Sequence, residues 1–171
     1  GEAAAAALLT RTPDGALAQL IGSSSINDAN HISGPSRTGE GLYLSIKRTL
    51  AQANVSPQQI DLINAHGTGS QYNDEMESIA FMRAGLLCVP LNSYKGYFGH
   101  TLGAAGLLET LLSIALAHRQ TLLQSLNFQT LGVSQPINVL TQNLHKPIKY
   151  LLKTASGFGG SNTALLIKIN K

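Results

Sequence analysis

The chain has 171 residues, of which 43% are hydrophobic and only 12% are charged, and its formal net charge is +3. This length and composition fit one packed domain and exclude a disordered chain. The small net charge and the scattered Lys and Arg do not favour nucleic-acid binding. No apolar run is long enough to span a membrane. The single cysteine excludes a disulfide framework and favours a reducing, cytoplasmic location.

The first part of the chain is rich in small residues. Residues 3–10 favour either a helix, by alanine propensity, or a buried strand. The turn sequence Pro13-Asp14-Gly15 follows, and residues 16–24 form a predicted strand that would complete a hairpin. Because the chain starts without Met and has few charges, we expect it to begin inside a larger protein whose remainder, or a partner subunit, covers part of its surface.

Helices and strands are predicted to alternate after a loop over residues 27–41. Leu42, Ile46 and Leu50 fall on one face of an amphipathic helix over residues 38–54. The elements that follow are a capped turn at Ser56-Pro57-Gln58-Gln59, a strand at 61–64, a helix at 74–84, a strand at 86–91, a helix at 101–118, an irregular stretch over 120–146, and strands at 150–155 and 163–169. The order predicts a layered α/β fold, a mixed sheet covered by helices, in which the helix over 101–118 is apolar on nearly all sides and buried.

Two histidines stand in glycine-rich turns. His66 lies in the sequence Asn64-Ala65-His66-Gly67-Thr68-Gly69-Ser70, and His100 precedes the predicted helix over 101–118. The positive end of a helix dipole disfavours an imidazolium, so we expect a neutral His100 ring that still donates one N–H. Two neutral imidazoles that converge on one oxygen would stabilise a developing enolate or oxyanion. The alternative, in which each histidine only forms hydrogen bonds within its loop, stays open.

Lys95 and Glu109 flank His100 in the sequence. A carboxylate in an otherwise apolar helix needs a partner if it is buried, and Lys95 is the natural candidate. The alternative is that Glu109 points to solvent. Lys95 and His66 both follow predicted strands, at the edge where α/β sheets bind their ligands.

Other chemistries find little support in the sequence. There is no C-x-x-C or H-E-x-x-H motif for a metal, no G-x-S-x-G motif for a serine hydrolase, and no phosphate-binding loop. Cys88 lies in a short apolar run, which predicts a buried structural thiol in a strand. We therefore expect no metal site.

These two histidine turns and the turn Gly157-Phe158-Gly159-Gly160-Ser161-Asn162 closely resemble motifs of the β-ketoacyl synthase family, in its C-terminal half. The resemblance runs from Gly1 to the last strand. It implies that residues 1–171 are the C-terminal domain of a thiolase-like fold, in which two similar halves form α/β/α/β/α layers. The family performs the decarboxylative Claisen condensation of a malonyl-carrier protein with an acyl chain held on a cysteine.

The resemblance also implies a role for each matching residue. His66 and His100 would bind the malonyl thioester carbonyl and stabilise the enolate. Lys95 and Glu109 would hold that pair, and Phe158 would gate the acyl pocket and offer its backbone N–H to the oxyanion hole. The implied substrate contacts are Thr68 and Ser70, on the pantetheine arm, and Gly159 and Gly160. The loop from His31 to Ser36 resembles one that moves with the loop around Phe158.

The sequence departs from the family in one respect, because the nucleophilic cysteine lies in an N-terminal half that this sequence lacks. Cys88 does not match it. We therefore expect an acyltransferase of fatty acid or polyketide synthesis only when the chain combines with that half. The expected synthase is a dimer that acts with an acyl carrier protein, without a cofactor beyond the phosphopantetheine arm that carries the substrates.

Two alternatives remain from the sequence. A non-catalytic partner of the chain-length-factor kind has no chemical need for His66, His100 and Lys95. A thiolase-type enzyme that acts on coenzyme A esters would carry a second cysteine near the last glycine-rich turn, and none is present there.

Overall fold

In the computed structural model, the chain folds around a five-stranded mixed sheet with helices on both faces. The structure describes residues 1–30, 32 and 34–170. The strands are β1 (Ala18–Asn27), β2 (Leu62–Asn64), β3 (Leu91–Asn92), β4 (Thr121–Leu122), β5 (Leu144–His145), β6 (Tyr150–Gly157) and β7 (Ser161–Ile169). The helices are α1 (Glu40–Ala53), α2 (Gln71–Arg83), α3 (Lys95–Phe98) and α4 (Ala105–His118).

The order of strands brings three turns to one edge of the sheet. The order is β1-β7-β6-β2-β3, and β4 pairs with β5 in a separate small sheet. Strand β2 runs parallel to both β3 and β6, whereas β7 is antiparallel to β1 and β6. The carboxyl ends of β2, β3 and β6 therefore lie side by side, and the chain segments that carry His66, Lys95 and Phe158 leave from this edge.

Two apolar clusters occupy the two faces of the sheet. Adjacent residues of a strand point to opposite faces, so Leu152 joins one cluster and Leu151 the other. The first cluster receives Leu42 and Ile46 of α1, on the predicted amphipathic face, and residues of α2. The second receives Ala117 of α4. The mixed sheet covered by helices is thus confirmed.

The predicted hairpin at the start of the chain is wrong. Residues 3–10 form neither a helix nor a strand and are almost all exposed. Strand β1 is present, but its partner is β7, with Ala18 opposite Ile169 and Asn27 opposite Ser161. A short alanine-rich segment is marginal as an isolated helix in water, and here its side chains stay in solvent instead of packing against the sheet.

Other boundaries also differ from the prediction, and the helix predicted over 101–118 begins at Ala105. Helix α2 begins at Gln71, three residues before the predicted start. The predicted strand over 86–91 is reduced to β3, because a turn closed by the Val89 N–H and the Leu86 carbonyl (3.0 Å) precedes it. Cys88 lies in this turn and is exposed, so the prediction of a buried strand thiol is wrong.

Helix α4 is buried along one face only, and that face is its polar one. Glu109, Thr110 and Ser113 are buried, whereas Leu107 is 40% exposed. The hydroxyls of Thr110 and Ser113 donate to carbonyls one turn earlier in the helix, at Gly106 and Glu109. The prediction that α4 is buried is therefore correct for one face of the helix and wrong for the others. No helix within the described ranges is long and apolar enough to cross a membrane.

Candidate active site

His66 and His100 are brought together at the carboxyl edge of the sheet. Their ring centroids lie 5.1 Å apart, and the ring planes are nearly perpendicular, at 80°. His66 is 7% exposed and His100 is half-buried. Two histidines that are far apart in the sequence thus form one edge-to-face pair.

Both imidazoles are neutral near pH 7. Burial, together with the positive charges of Lys95 and Lys153, lowers the pKa of His66 to about 3. Burial also lowers the pKa of His100, again with a contribution from Lys95. A neutral imidazole carries one N–H, so each ring keeps one donor for a ligand.

The hydrogen bonds around the rings place these donors on the Nε2 atoms. His100 Nδ1 accepts the backbone N–H of Leu102 (3.0 Å), so its proton resides on Nε2. His66 Nδ1 is buried and has no hydrogen-bond partner among the described residues. Because a buried N–H without an acceptor is costly, the Nε2–H tautomer is favoured for His66 as well.

Glu77 of α2 holds the turn that carries His66. Its two carboxylate oxygens accept the backbone N–H groups of His66 (2.9 Å) and Gly67 (2.7 Å). Thr154 of β6 and Asn73 also donate to this carboxylate, at 3.1 and 3.0 Å. Glu77 is 3% exposed, and burial raises the pKa of its carboxyl group. The backbone at His66 is therefore fixed from the α2 side of the sheet.

On the other face of the sheet, Glu109 binds two lysines. Its side chain is fully buried, and its Oε1 lies 2.7 Å from Lys95 Nζ. Its Oε2 forms a second ion pair with Lys153 of β6. Lys95 Nζ also donates to the carbonyl of His66, and Lys153 Nζ to that of Ala65 (3.3 Å). The predicted pairing of Glu109 with Lys95 is present, and the alternative of a solvent-exposed Glu109 is excluded.

Glu77 and Lys153 were not found from the sequence. The signal for Lys153 was its place after Leu151 and Leu152 in a predicted strand. A lysine that is buried in a strand requires an anionic partner. Glu77 had a weaker signal, since its helix also carries Asp74 and Glu75 and the sequence does not show which carboxylate faces inward.

The glycine-rich turn after β6 presents Phe158 to solvent, with its side chain 83% exposed. Gly159 and Gly160 both have positive φ, at 81° and 79°. Their backbone groups are engaged within the protein, since Gly159 N donates to Ile32 O and Gly160 O accepts the Asp28 N–H (2.8 Å). The first of these hydrogen bonds connects the turn to the loop over residues 31–36, which the resemblance predicted to move with it. His31 and Ser33 of that loop lie outside the described residues.

Thr68 lines a cavity of about 750 Å³ between the His66 turn and residues 125–133. Its hydroxyl lies 2.8 Å from that of Ser70, which is exposed just before α2. Lys95 and Glu77 reach the same cavity. The two predicted pantetheine contacts therefore lie beside each other, and Thr68 borders a space that adjoins the histidine turn.

Comparison with known proteins identifies relatives of this arrangement. Residues 17–129 match the profile of the family described as "Beta-ketoacyl synthase, C-terminal domain", a range that includes His66, Lys95, His100 and Glu109 but ends before β6. The "3-oxoacyl-[acyl-carrier-protein] synthase, mitochondrial" of Arabidopsis thaliana is 33% identical over 156 residues, which cover 87% of this chain and 34% of the relative.

Two solved structures are similar in fold. A ketosynthase (ApeO) in complex with its chain length factor (ApeC) from Xenorhabdus doucetiae matches with a TM-score of 0.84 and 34% identity, over 93% of this chain and 41% of that chain. A complex titled "AntDE:AntF (apo)", a type II PKS acyl-carrier protein with its ketosynthase bound to the hexaketide, matches with a TM-score of 0.84 and 29% identity, over 91% and 39%.

The chain thus spans 34% to 41% of the length of these relatives. The similarity in structure confirms the predicted fold class, the C-terminal half of a thiolase-like layered fold. With a family profile that matches most of the chain and a fold shared with ketosynthases, the chain belongs to the β-ketoacyl synthase family, in which it corresponds to the C-terminal domain.

Proposed function

We propose that this chain supplies the C-terminal half of the active site of a β-ketoacyl-[acyl-carrier-protein] synthase. The observation that carries the proposal is the pair of His66 and His100, two neutral imidazoles with ring centroids 5.1 Å apart. Such a pair presents two uncharged N–H donors to one oxygen, where they can stabilise negative charge that develops in the transition state.

The proposed reaction begins with loss of carbon dioxide from a malonyl thioester. The electron pair of the breaking carbon–carbon bond moves to the α-carbon and the thioester oxygen, and the two Nε2–H groups stabilise the enolate that forms. The enolate carbon then attacks the carbonyl of an acyl group held as a thioester on a cysteine of the complementary half. The new carbon–carbon bond forms as the cysteine leaves as a thiolate.

The remaining predicted residues complete this proposal. Lys95 and Glu109 hold the His66 turn through the contacts described above, and Phe158 gates the acyl pocket and offers its backbone N–H to the second carbonyl. The proposed contacts to the phosphopantetheine arm and the substrate are Thr68, Ser70, Gly159 and Gly160. The exposure of Phe158 and the position of Thr68 on the cavity wall support these roles.

The proposed partners are an acyl carrier protein and the N-terminal half of a synthase, in a dimer. Support comes from the two similar complexes, one with an acyl-carrier protein and one with a chain length factor. The cytoplasmic location stays a prediction, because one similar relative is named as mitochondrial. The retained histidine pair supports an active subunit rather than a chain-length-factor-like one, which remains the alternative.

The test measures carbon dioxide release from malonyl-acyl carrier protein by the assembled synthase. His66→Ala and His100→Ala should each lower the rate by about 10²–10³, the usual effect of removing an oxyanion donor. His118→Ala is the matched control, because this histidine is exposed at the end of α4 and should leave the rate unchanged. Unchanged rates in both active-site variants would refute the proposal.

A further inference from the structure

Lys153 has an unusual position for a lysine. It lies in β6 and is 2% exposed, and its ammonium contacts three groups of the protein. These are the carboxylate of Glu109, the carbonyl of Ala65 at 3.3 Å and the carbonyl of Asn64 at 3.5 Å. Its amine is thus fixed between the helix α4 and the last residues before His66.

The charges in this cluster do not balance. Glu109 offers one negative charge, and its two oxygens are each occupied by a different ammonium, those of Lys95 and Lys153. The Lys95–Glu109–Lys153 cluster therefore carries a net charge of about +1 when both lysines are protonated. Burial of a second ammonium beside one carboxylate is costly. Glu77, on the other face of the sheet, also acts on Lys153 but does not contact it, so stability alone does not explain this lysine.

We propose that Lys153 is a second positioning residue for the histidine pair, a role that rests on the proposed function. Its ammonium fixes the carbonyl of Ala65 just before His66 and, through Glu109, holds Lys95 against the carbonyl of His66 itself. The charges of Lys95 and Lys153 act on both imidazoles, as the lowered pKa values of His66 and His100 indicate, and they would stabilise negative charge that develops on a ligand of this pair.

This arrangement makes the site sensitive to alkaline pH. The titratable groups that act on Lys153 or respond to it come from five segments. They are Glu109 of α4, Lys95 of α3, Glu77 of α2, and the histidines of two separate turns, His66 and His100. Burial lowers the pKa of Lys153 to about 8, although the charge of Glu109 opposes this shift. As the pH rises through this value, the cluster loses its net positive charge and the bond to Glu109 weakens.

The experiment follows carbon dioxide release by the assembled synthase between pH 6.5 and 9.5 in wild type and in Lys153→Met. The wild-type kcat should fall as the pH rises past about 8. Lys153→Met should lower kcat at pH 7 about tenfold, less than the loss of an oxyanion donor, with KM for malonyl-acyl carrier protein unchanged. Its pH profile should be flat over the range in which the wild type declines.

Two further variants sharpen the result. Lys153→Arg keeps a charge that does not titrate, so it should retain its pH 7 activity at pH 9. Lys168→Met is the matched control, a lysine of the neighbouring strand β7 that pairs with Tyr150 at the opposite end of β6, and it should behave as wild type.

The outcomes separate this inference from the proposed function. Unchanged rates in both His66→Ala and His100→Ala refute the function itself. A normal loss in His66→Ala together with a wild-type pH profile in Lys153→Met overturns only the role of Lys153. If neither Lys153 variant assembles, nitrogen NMR of the lysine amines and of the two imidazoles in the wild-type synthase decides. A lysine amine whose deprotonation near pH 8 shifts the ring signals of His66 and His100 supports the inference, and ring signals that stay constant over that range overturn it.

Discussion

Replacement of Glu77 by alanine should be among the most destabilising single changes in this chain. The carboxylate accepts two backbone N–H groups, from His66 and Gly67, at 2.9 and 2.7 Å. Alanine leaves both donors without an acceptor in a site that is closed to solvent on the His66 side. A buried unsatisfied donor costs about 1–3 kcal/mol, which applies in full to the His66 N–H and less to the Gly67 N–H at the cavity wall, so Glu77→Ala should lower the free energy of unfolding by about 1–3 kcal/mol or more.

Urea unfolding followed by circular dichroism measures this loss. Glu40→Ala is the control, because Glu40 forms its ion pair with Arg83 at 2.6 Å in an exposed position, and its removal should cost at most about 0.5 kcal/mol. The reasoning is refuted if Glu77→Ala and Glu40→Ala have the same stability. It is also refuted if Glu77→Ala keeps the full rate of carbon dioxide release in the assembled synthase, since the His66 turn would then not depend on this carboxylate.

Three further predictions follow from the same site. The pKa of His66 is lowered to about 3 in the folded chain, so between pH 7 and pH 5 the unfolded chain binds a proton that the folded chain does not. This difference should lower the free energy of unfolding by about 2 kcal/mol from pH 7 to pH 5. Urea titrations of His66→Asn should lack this contribution. Phe158→Ala should change the free energy of unfolding by less than ~0.5 kcal/mol, since its ring is 83% exposed, yet slow acyl transfer to the synthase in a thioester assay. Gly67→Ala should cost about 1–3 kcal/mol more in thermal unfolding than Gly69→Ala, because both glycines have positive φ but only at Gly67 would a Cβ atom lie 2.6 Å from Ser93.

The parts of the fold that follow from local pattern were predictable from the sequence. The stripe of Leu42, Ile46 and Leu50 predicted α1, and the capping-box spacing predicted the turn at Pro57–Gln59, where Gln59 accepts the Ser56 N–H at 2.9 Å. Each of these features depends on contacts within a few residues. The motif order also predicted that His66 and His100 would serve one site.

The predictions that were wrong concern features that depend on contacts between residues far apart in the sequence. Strand β1 pairs with β7, about 140 residues away, and not with the adjacent alanine-rich segment. Every residue of β7 from Ile169 to Ser161 has a pairing partner in β1. Helix α4 has leucines around much of its circumference, so its sequence did not reveal that the polar side with Glu109 faces the sheet. That orientation is set by Lys95 and Lys153, which reach Glu109 from two other elements.

The central claim is that His66 and His100 act together as neutral donors to one thioester oxygen. Nitrogen NMR of both imidazoles in the assembled synthase, with and without a stable malonyl thioester analogue, tests it most directly. The account predicts that both rings are neutral at pH 7, with the proton on Nε2, and that both Nε2–H signals shift when the analogue binds. A charged imidazolium at pH 7, or a bound analogue that leaves either signal unmoved, would contradict it.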